Sequence, residues 1–349
     1  MPVVPPDSRK TLRCASFHSV KGGVGKSTLS YLVARLLAED GPVVLVDADL
    51  TGTSLADVLP LRAPRWNGIG AEDLLPLDRQ PDDWSPFDPQ CQHLTSRASL
   101  SDGHRRVVPL LNDFLLWAKG RYDATEDVDP RALFWKLPEG DPLVDKLFVV
   151  PSSALPNDLA QIMPLIYDEL HAAYLESRLE WLLHWLLEKT GVRTVVFDTP
   201  PTIPGLSRAV LSMAMRLPLH VALAEDDCTP RELTQEYTSK IDWTPFLVVT
   251  TDIQDLRAAE RWLEGPENPD VARIQVVLNR TAKQWKDLEQ DLTRKLSGSQ
   301  DLARSFYEGK LLRSPLVVPS TGSLKIFKGE PHALNGASDL VSLVERMRE

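Results

Sequence analysis

The chain has 349 residues, of which 43% are hydrophobic and 25% are charged, and its formal net charge is −10. These proportions are ordinary for a soluble globular protein. The acidic balance argues against a protein that coats nucleic acid, because non-specific binding draws on a basic surface, although a local basic patch remains compatible with it.

Cysteine usage and the chain start indicate the compartment. The three cysteines, Cys14, Cys91 and Cys228, are widely spaced and form no Cys-x-x-Cys pair. This spacing disfavours a disulfide scaffold, a structural zinc site and an iron–sulfur site. Residues 1–8 are proline-rich and polar, unlike a secretory signal, and no apolar run is long enough to span a bilayer. We therefore expect a soluble, cytoplasmic protein.

Apolar runs alternate with amphipathic stretches along most of the chain, which indicates βα units and a mainly parallel sheet. In chain order the predicted elements are a strand at 12–19, a helix at 27–39, strand 43–46, helix 107–118, strand 147–150, one or two helices at 159–187, strand 192–197, helix 206–215, strand 219–224, helix 231–240, strand 246–250, a further helix, strand 274–278, strand 316–318 and a terminal helix. The predicted fold class is α/β, with a doubly wound sheet and helices on both faces.

A proline- and tryptophan-rich stretch, residues 60–142, interrupts the alternation. Its tryptophans are Trp66, Trp84, Trp117 and Trp135. Disordered segments are poor in aromatics, so we predict a packed insertion whose tryptophans form either an interface or its own interior. The predicted domains are the α/β domain, at 1–59 and 143–349, and an insertion or subdomain of unknown role at 60–142.

The segment Lys21–Thr28, of sequence Lys-Gly-Gly-Val-Gly-Lys-Ser-Thr, follows a predicted strand and opens a predicted helix. In this context glycines let backbone N–H groups turn towards a phosphate, and the helix N-terminus adds positive potential. Lys26 can reach the β- and γ-phosphates, and the Ser27 hydroxyl can bind Mg²⁺. The residues predicted to bind nucleotide here are Gly22, Gly23, Val24, Gly25, Lys26, Ser27 and Thr28. The simpler alternative is a glycine turn that binds nothing.

Carboxylates follow two other predicted strands. Asp47 and Asp49 follow the strand at 43–46, and Asp198 ends an apolar strand in the Walker B form. Carboxylates at such strand ends hold the magnesium shell and orient the attacking water of a P-loop ATPase. For Asp47 and Asp49 the alternative is a pair of turn or helix caps.

The glycine loop resembles the deviant P-loop of the MinD/ParA family, whose motif is Lys-Gly-Gly-x-Gly-Lys-(Ser/Thr). The resemblance implies ATP and Mg²⁺ as cofactors, and slow, partner-stimulated hydrolysis. It also implies that Lys21 reaches across a dimer interface to the nucleotide of the partner. The departure from the general pattern is Val20, because glycine is usual five residues before Gly25.

The acidic segments resemble the two switches of the same family. The resemblance implies that Asp49 positions or activates water and that Asp47 supports the magnesium. Asp198-Thr199-Pro200-Pro201 resembles the second switch, which makes Asp198 the Mg²⁺ carboxylate, although Gly205 follows the prolines later than is usual.

Two later positions correspond to base-contacting positions of the family. Asn279, which follows a strand, resembles the adenine-contacting asparagine, and Pro319 follows the late strand at the second base-contacting loop. A turn residue is the alternative for Asn279.

The resemblance implies a switch that dimerises on ATP to control a protein partner or a positioning process. Two alternatives stay open. One is an ArsA-type or iron–sulfur carrier, which the absence of cysteine pairs disfavours. The other is a nucleotide-binding module that docks a partner with little turnover.

Other partners are less favoured. Residues 280–328 contain ten Lys and Arg against five Asp and Glu, so DNA contact stays open, but a solvated helical surface is the preferred interpretation. Residues 340–347 lack the basic face of a membrane-targeting helix and should pack on the core. Trp181 and Trp185 are expected in the core, and His18 as a neutral, packed histidine.

Overall fold

The computed structural model describes residues 11–50, 55–64, 110–116, 130–153, 155–167, 171–201, 205–216, 222–224, 227–231, 241–263, 273–281, 316–319, 344–345 and 347. Its strands are β1 (Leu12–His18), β2 (Val43–Asp47), β3 (Trp135–Lys136), β4 (Leu147–Val150), β5 (Thr194–Asp198), β6 (Ala222–Ala224), β7 (Asp227–Arg231), β8 (Ile241–Val249), β9 (Gln275–Thr281) and β10 (Leu316–Pro319). Its α-helices are α1 (Lys26–Asp40), α2 (Leu55–Val58), α3 (Leu111–Leu116), α4 (Pro156–Tyr167), α5 (Ala172–Lys189), α6 (Leu206–Arg216) and α7 (Ile253–Leu263).

The main sheet has eight strands in the order β10-β9-β8-β1-β5-β2-β4-β3. Every neighbouring pair is parallel except β3 and β4, which are antiparallel. The predicted mainly parallel sheet is therefore confirmed. The first strand of the chain lies in the middle, so its neighbours β5 and β8 are contributed much later in the sequence.

Both faces of the sheet are buried, which explains the continuous apolar runs of its strands. In β2 all five residues are buried. Val43 and Leu45 belong to a core that includes residues of α1, whereas Val44 and Val46 belong to a second core that includes residues of α4, α5 and α6. Since successive side chains of a strand point to opposite faces, helices cover both sides, as predicted.

The helical prediction over 159–187 resolves into two helices, α4 and α5. Trp181 and Trp185 of α5 pack against the second core, which confirms their structural role. Their rings lie 5.9 Å from those of Phe114 and Phe134 respectively. Pairs at this centroid distance stabilise beyond the area that they bury.

Parts of the stretch at 60–142 belong to the main sheet and its cores. Trp135 is fully buried in the core of α1, and it pairs with Val149 as β3 adds an antiparallel edge to the sheet. Arg35 of α1 forms a buried ion pair with Asp141 at 2.8 Å. Within residues 107–118, the described part forms α3. The division into domain and insertion stays a prediction, and Trp66, Trp84 and Trp117 lie outside the described residues.

One predicted helix is corrected in part. Arg231, placed at the start of a helix over 231–240, instead ends β7 and pairs with Ala222 of β6. The pairing of β7 with β6 takes precedence at Arg231 over the helical periodicity that follows it. Residues 232–240 lie outside the described part of the chain.

Near the chain end, Val344 and Met347 are buried in the core of α1 and Glu345 is exposed. These residues therefore pack as predicted. None of the described helices has both the length and the apolar character that a bilayer crossing requires. Most of the basic region at 280–328 lies outside the described residues.

Candidate functional site

The site lies where β1, β5 and β2 end side by side at the carboxyl edge of the sheet. Asp47 and Asp198 are direct register partners at the ends of β2 and β5. Beyond the strands, the Ala48 N–H donates to the carbonyl of Asp198 at 2.8 Å, and the Thr199 N–H donates to the carbonyl of Phe17 at 3.3 Å. The first acidic segment (residues 47–49), the second (residues 198–201) and the strand before the glycine loop are thus fixed relative to one another.

The glycine loop runs from the end of β1 to the start of α1. Gly25 lies at the N-cap of α1 with φ 89°, a left-handed conformation that disfavours any side chain. A Cβ at Gly25 would also stand 2.6 Å from the Asn279 amide nitrogen. Val20, the departure from the family pattern, packs against the core between the sheet and α7. Both the backbone conformation and the close approach of Asn279 therefore require glycine at position 25.

Lys26 and Ser27 open α1 beside the buried carboxylates. Lys26 is buried. The pKa of the fully buried Asp198 is raised to about 8, mainly by burial and also by the charges on Asp47 and Asp49. The Lys26 charge and the Ser27 hydroxyl act on the same pKa in the opposite direction. These five groups therefore lie close enough to interact, as the sequence predicts for an ATPase site.

The carboxylate of Asp198 is the strongest candidate for a magnesium ligand. Among the described residues, neither of its oxygens has a hydrogen-bond partner of good geometry. A buried carboxylate in this state is costly unless a cation or donor satisfies it. A buried carboxylate of this kind suits Mg²⁺, which is usually held by one or two carboxylates together with substrate phosphates and water.

Asp47 and Asp49 are both buried in the first acidic segment. The Asp47 carboxylate accepts a hydrogen bond from the Leu55 N–H at 2.8 Å, so it supports the start of α2 as well as facing Asp198. The carbonyl of Asp49 accepts a hydrogen bond from the Ser152 hydroxyl at 3.5 Å. Asp47 can therefore cap the start of α2 and still support a magnesium ion.

Lys21 is held on the flank of the loop by α7. Its ammonium nitrogen lies 3.1 Å from the Asp255 carboxylate and 3.5 Å from the side-chain oxygen of Gln254. The Thr250 hydroxyl donates to the same Asp255 carboxylate. The side chain of Lys21 is 39% exposed. Sequence reasoning did not find Asp255, although it stands in the first turn of a helix that follows a neighbour of β1.

The end of β9 contacts the loop directly. The Asn279 amide donates to the carbonyl of Val24 at 2.8 Å, and Asn279 is buried. Pro319 pairs with Thr281 across β9 and β10, one strand further along the same edge. The structure therefore brings Asn279 to the glycine loop, with Pro319 on the adjoining strand.

His18 forms a buried polar network beneath the loop. One ring nitrogen lies 2.8 Å from the Ser16 hydroxyl, and the other lies 3.2 Å from that of Ser207 and 3.3 Å from that of Thr199. Burial and the charge on Lys26 lower the pKa of His18 to about 3, so the ring is neutral. The prediction of a neutral, packed histidine is confirmed. Its partners in the second acidic segment and α6 were not predicted.

Comparison with known proteins agrees with this architecture. The ParA family model, described as NUBPL iron-transfer P-loop NTPase, matches residues 12–84. Apo McdA from Cyanothece has a TM-score of 0.51 at 14% sequence identity, with 97% of this chain and 98% of that chain covered. The chain is MinD/ParA-like. At this identity, the structural likeness shows the P-loop NTPase fold alone.

Two further structures resemble this MinD/ParA-like chain. The ATP complex of a Cyanothece McdA variant has a TM-score of 0.51 at 15% identity, covering 97% of this chain and 96% of that one. MinD from Aquifex aeolicus has a TM-score of 0.48 at 16% identity, covering 96% and 95%. No curated protein matches the sequence.

Proposed function

We propose that this MinD/ParA-like chain is a cytoplasmic, Mg²⁺-dependent ATPase that dimerises on ATP and thereby controls a protein partner. The observation that carries the proposal is the meeting of Lys26, Ser27 and Asp198 beside the glycine loop. A buried ammonium, a hydroxyl and a carboxylate at this edge are the groups with which P-loop proteins bind a triphosphate and its metal.

Nucleotide binding is assigned to the loop and the start of α1. The backbone N–H groups of residues 22–28 and the positive end of α1 bind the phosphate oxygens. Lys26 neutralises the β- and γ-phosphates. Asn279 and Pro319 are assigned to the adenine, and Asn279 also holds the loop through Val24.

The magnesium ligands on the chain are assigned to Ser27, Asp47 and Asp198. When bound with ATP, Mg²⁺ supplies neutralisation of charge on the phosphate oxygens. Asp198 faces Lys26 and Ser27, while its register partner Asp47 is fixed by the Leu55 N–H. These residues would hold the metal when it binds together with ATP.

Hydrolysis transfers the γ-phosphoryl group to water. Asp49 orients the attacking water and takes its proton, while the bond from the γ-phosphorus to the bridging oxygen breaks and ADP leaves. Lys26 stabilises the charge that develops on the phosphoryl oxygens and the leaving group. The assignment of Asp49 is supported by its burial and by its effect on the pKa of Asp198.

Dimerisation is assigned to Lys21, which would bind the nucleotide of the partner. Within one chain, Lys21 is paired with Asp255. Because the Lys21 side chain is 39% exposed, water screens this pair, so a triphosphate on a second copy can displace Asp255 from it.

The test is Mg²⁺-ATP binding and phosphate release with matched variants. Lys26→Ala should reduce hydrolysis by on the order of 100-fold or more, because it removes a cation from the reacting phosphates. Asp49→Asn should still bind Mg²⁺-ATP while hydrolysis falls by a similar factor. Lys189→Ala and Asp242→Asn are the controls. Lys189 ends α5 and Asp242 lies near the start of β8, so both are exposed at the end of their element that lies away from the site. Both substitutions should leave binding and hydrolysis unchanged.

Two outcomes would overturn parts of the proposal. Absence of Mg²⁺-ATP binding by the unaltered chain would remove the proposal altogether. Nucleotide that survives purification without any phosphate release would instead support the alternative of a partner-docking module with little turnover.

A further inference from the structure

Arg280, the residue after Asn279, has an unusual backbone. Its φ of 58° makes it the only non-glycine residue with positive φ in the described part of the chain. Side chains with a Cβ are disfavoured in this region, and glycine or asparagine is the usual choice. Strained residues of this kind concentrate at binding and catalytic sites, where the surrounding structure maintains them.

The Arg280 guanidinium lies against the glycine loop. Its Nε stands 3.2 Å, and one terminal nitrogen 3.5 Å, from the position that a Cβ of Gly25 would occupy. Gly25 is the N-cap of α1, where the unpaired N–H groups of the helix begin. Arg280 itself is exposed to solvent. Its charge is thus placed beside the predicted phosphate site without being buried.

The other cations at the loop are already near carboxylates. Lys26 acts on buried Asp198, and Lys21 is paired with Asp255. Within the described residues, Arg280 has no ion pair or hydrogen bond. Of the three side-chain cations described beside the loop, it is therefore the one whose charge no described carboxylate offsets.

We infer that Arg280 is a nucleotide-binding residue whose guanidinium contacts the phosphate chain of the bound nucleotide. This inference rests on the proposed function. The planar fork of a guanidinium suits phosphate oxygens, and charge-assisted hydrogen bonds of this kind are among the stronger ones. The left-handed backbone is what turns the side chain after Asn279 back over the loop.

The experiment measures the affinity of the full chain for a fluorescent ATP analogue with Mg²⁺. Arg280→Gln should weaken binding roughly tenfold, and Arg280→Lys should stay within about threefold of the unaltered chain. The loss should shrink as KCl rises from about 50 mM to about 500 mM, because salt screens an exposed charge. Arg193→Gln is the control, since this exposed arginine precedes β5 at the opposite edge of the sheet.

A second readout separates binding from structural support. Arg280→Gly relieves the backbone strain, so the thermal midpoint of the nucleotide-free chain should stay level or rise by about 2 °C while ATP affinity falls. A lower midpoint would assign Arg280 a structural role and overturn the inference. Unchanged affinity in Arg280→Gln would do the same while leaving the proposed function intact, whereas no binding by the unaltered chain would remove both.

Discussion

His18 is a buried titratable residue at the last position of β1, directly before the glycine loop. Its neutral ring is shared among the hydroxyls of Ser16, Thr199 and Ser207, and the Trp243 indole donates to Ser16 at 3.0 Å. The network connects β1 and β8 with the second acidic segment and α6. Protonation of His18 would place a charge in a fully buried site close to Lys26.

We predict that His18 makes the stability of the chain depend on pH. Its folded-state pKa is about 3, below the 6.5 of an unperturbed histidine. The unfolded chain therefore takes up a proton as pH falls through 6.5, while the folded chain does not until about pH 3. Between pH 7.5 and pH 5.5 this should lower the free energy of unfolding by about 1.4 kcal/mol, measured by urea unfolding.

The matched variant is His18→Gln, which retains a donor and an acceptor but does not titrate. The variant should be less stable at both pH values, yet its loss between them should be smaller by about 1.4 kcal/mol. Equal losses in the two proteins would show that His18 is not the group responsible.

The positions of single residues were predictable where they depend on local order along the chain. The loop glycines, Lys26 and Asp198 follow from the strand–loop–helix sequence and from an apolar strand that ends in aspartate. Asp255 and Arg280 were not predictable. Both meet the loop through neighbouring parallel strands, and their places depend on a strand order that residue spacing does not give.

Gly205 lies directly before α6 and packs against the end of α4. It has φ 76°, and a Cβ there would collide with the Ile166 side chain and stand 3.0 Å from the Ile166 carbonyl oxygen. Ile166 belongs to the last turn of α4, and Gly205 directly precedes α6. Gly205→Ala should therefore lower the free energy of unfolding by about 2–3 kcal/mol through overpacking and backbone strain.

Gly140 provides a matched control, because it has φ 97° but nothing within 4 Å of its would-be Cβ. Gly140→Ala should cost only the backbone strain, about 1 kcal/mol, in the same urea experiment. If the two substitutions cost the same, the contact between α4 and α6 does not restrict residue 205.

Whole elements were predicted best where one periodicity extends over many residues. The strand at 147–150 has the predicted bounds, and α1 extends the predicted helix by one residue at each end. The short β3 has two residues, too few to show any period. Arg231 was misplaced because a hairpin partner, rather than its own spacing, determines its conformation.

At the scale of the whole molecule, the Lys21–Asp255 pair links the monomer to its proposed dimer. We predict that Asp255→Asn strengthens ATP-dependent dimerisation by about two- to fivefold, because Lys21 no longer has to leave a carboxylate. Light scattering after size exclusion with Mg²⁺-ATP would measure this as a shift towards twice the 39.0 kDa of the single chain. The measurement is best made in the Asp49→Asn background, where ATP persists.

Glu260→Gln is the control, because Glu260 lies on the same helix in a later turn.

Lys21→Ala should leave the monomer folded but impair dimer-linked hydrolysis. Normal hydrolysis by Lys21→Ala would show that Lys21 does not act on the nucleotide of a partner.

The central position of β1 has a consequence for biosynthesis. On a ribosome, β1 and its glycine loop emerge before both sheet neighbours, which follow well over a hundred residues later. Asn279, which holds the Val24 carbonyl, emerges later still. A nascent chain that ends before β9 thus lacks the Asn279 contact to the loop, and nucleotide at the proposed site is expected to stabilise only a chain synthesised at least through β9.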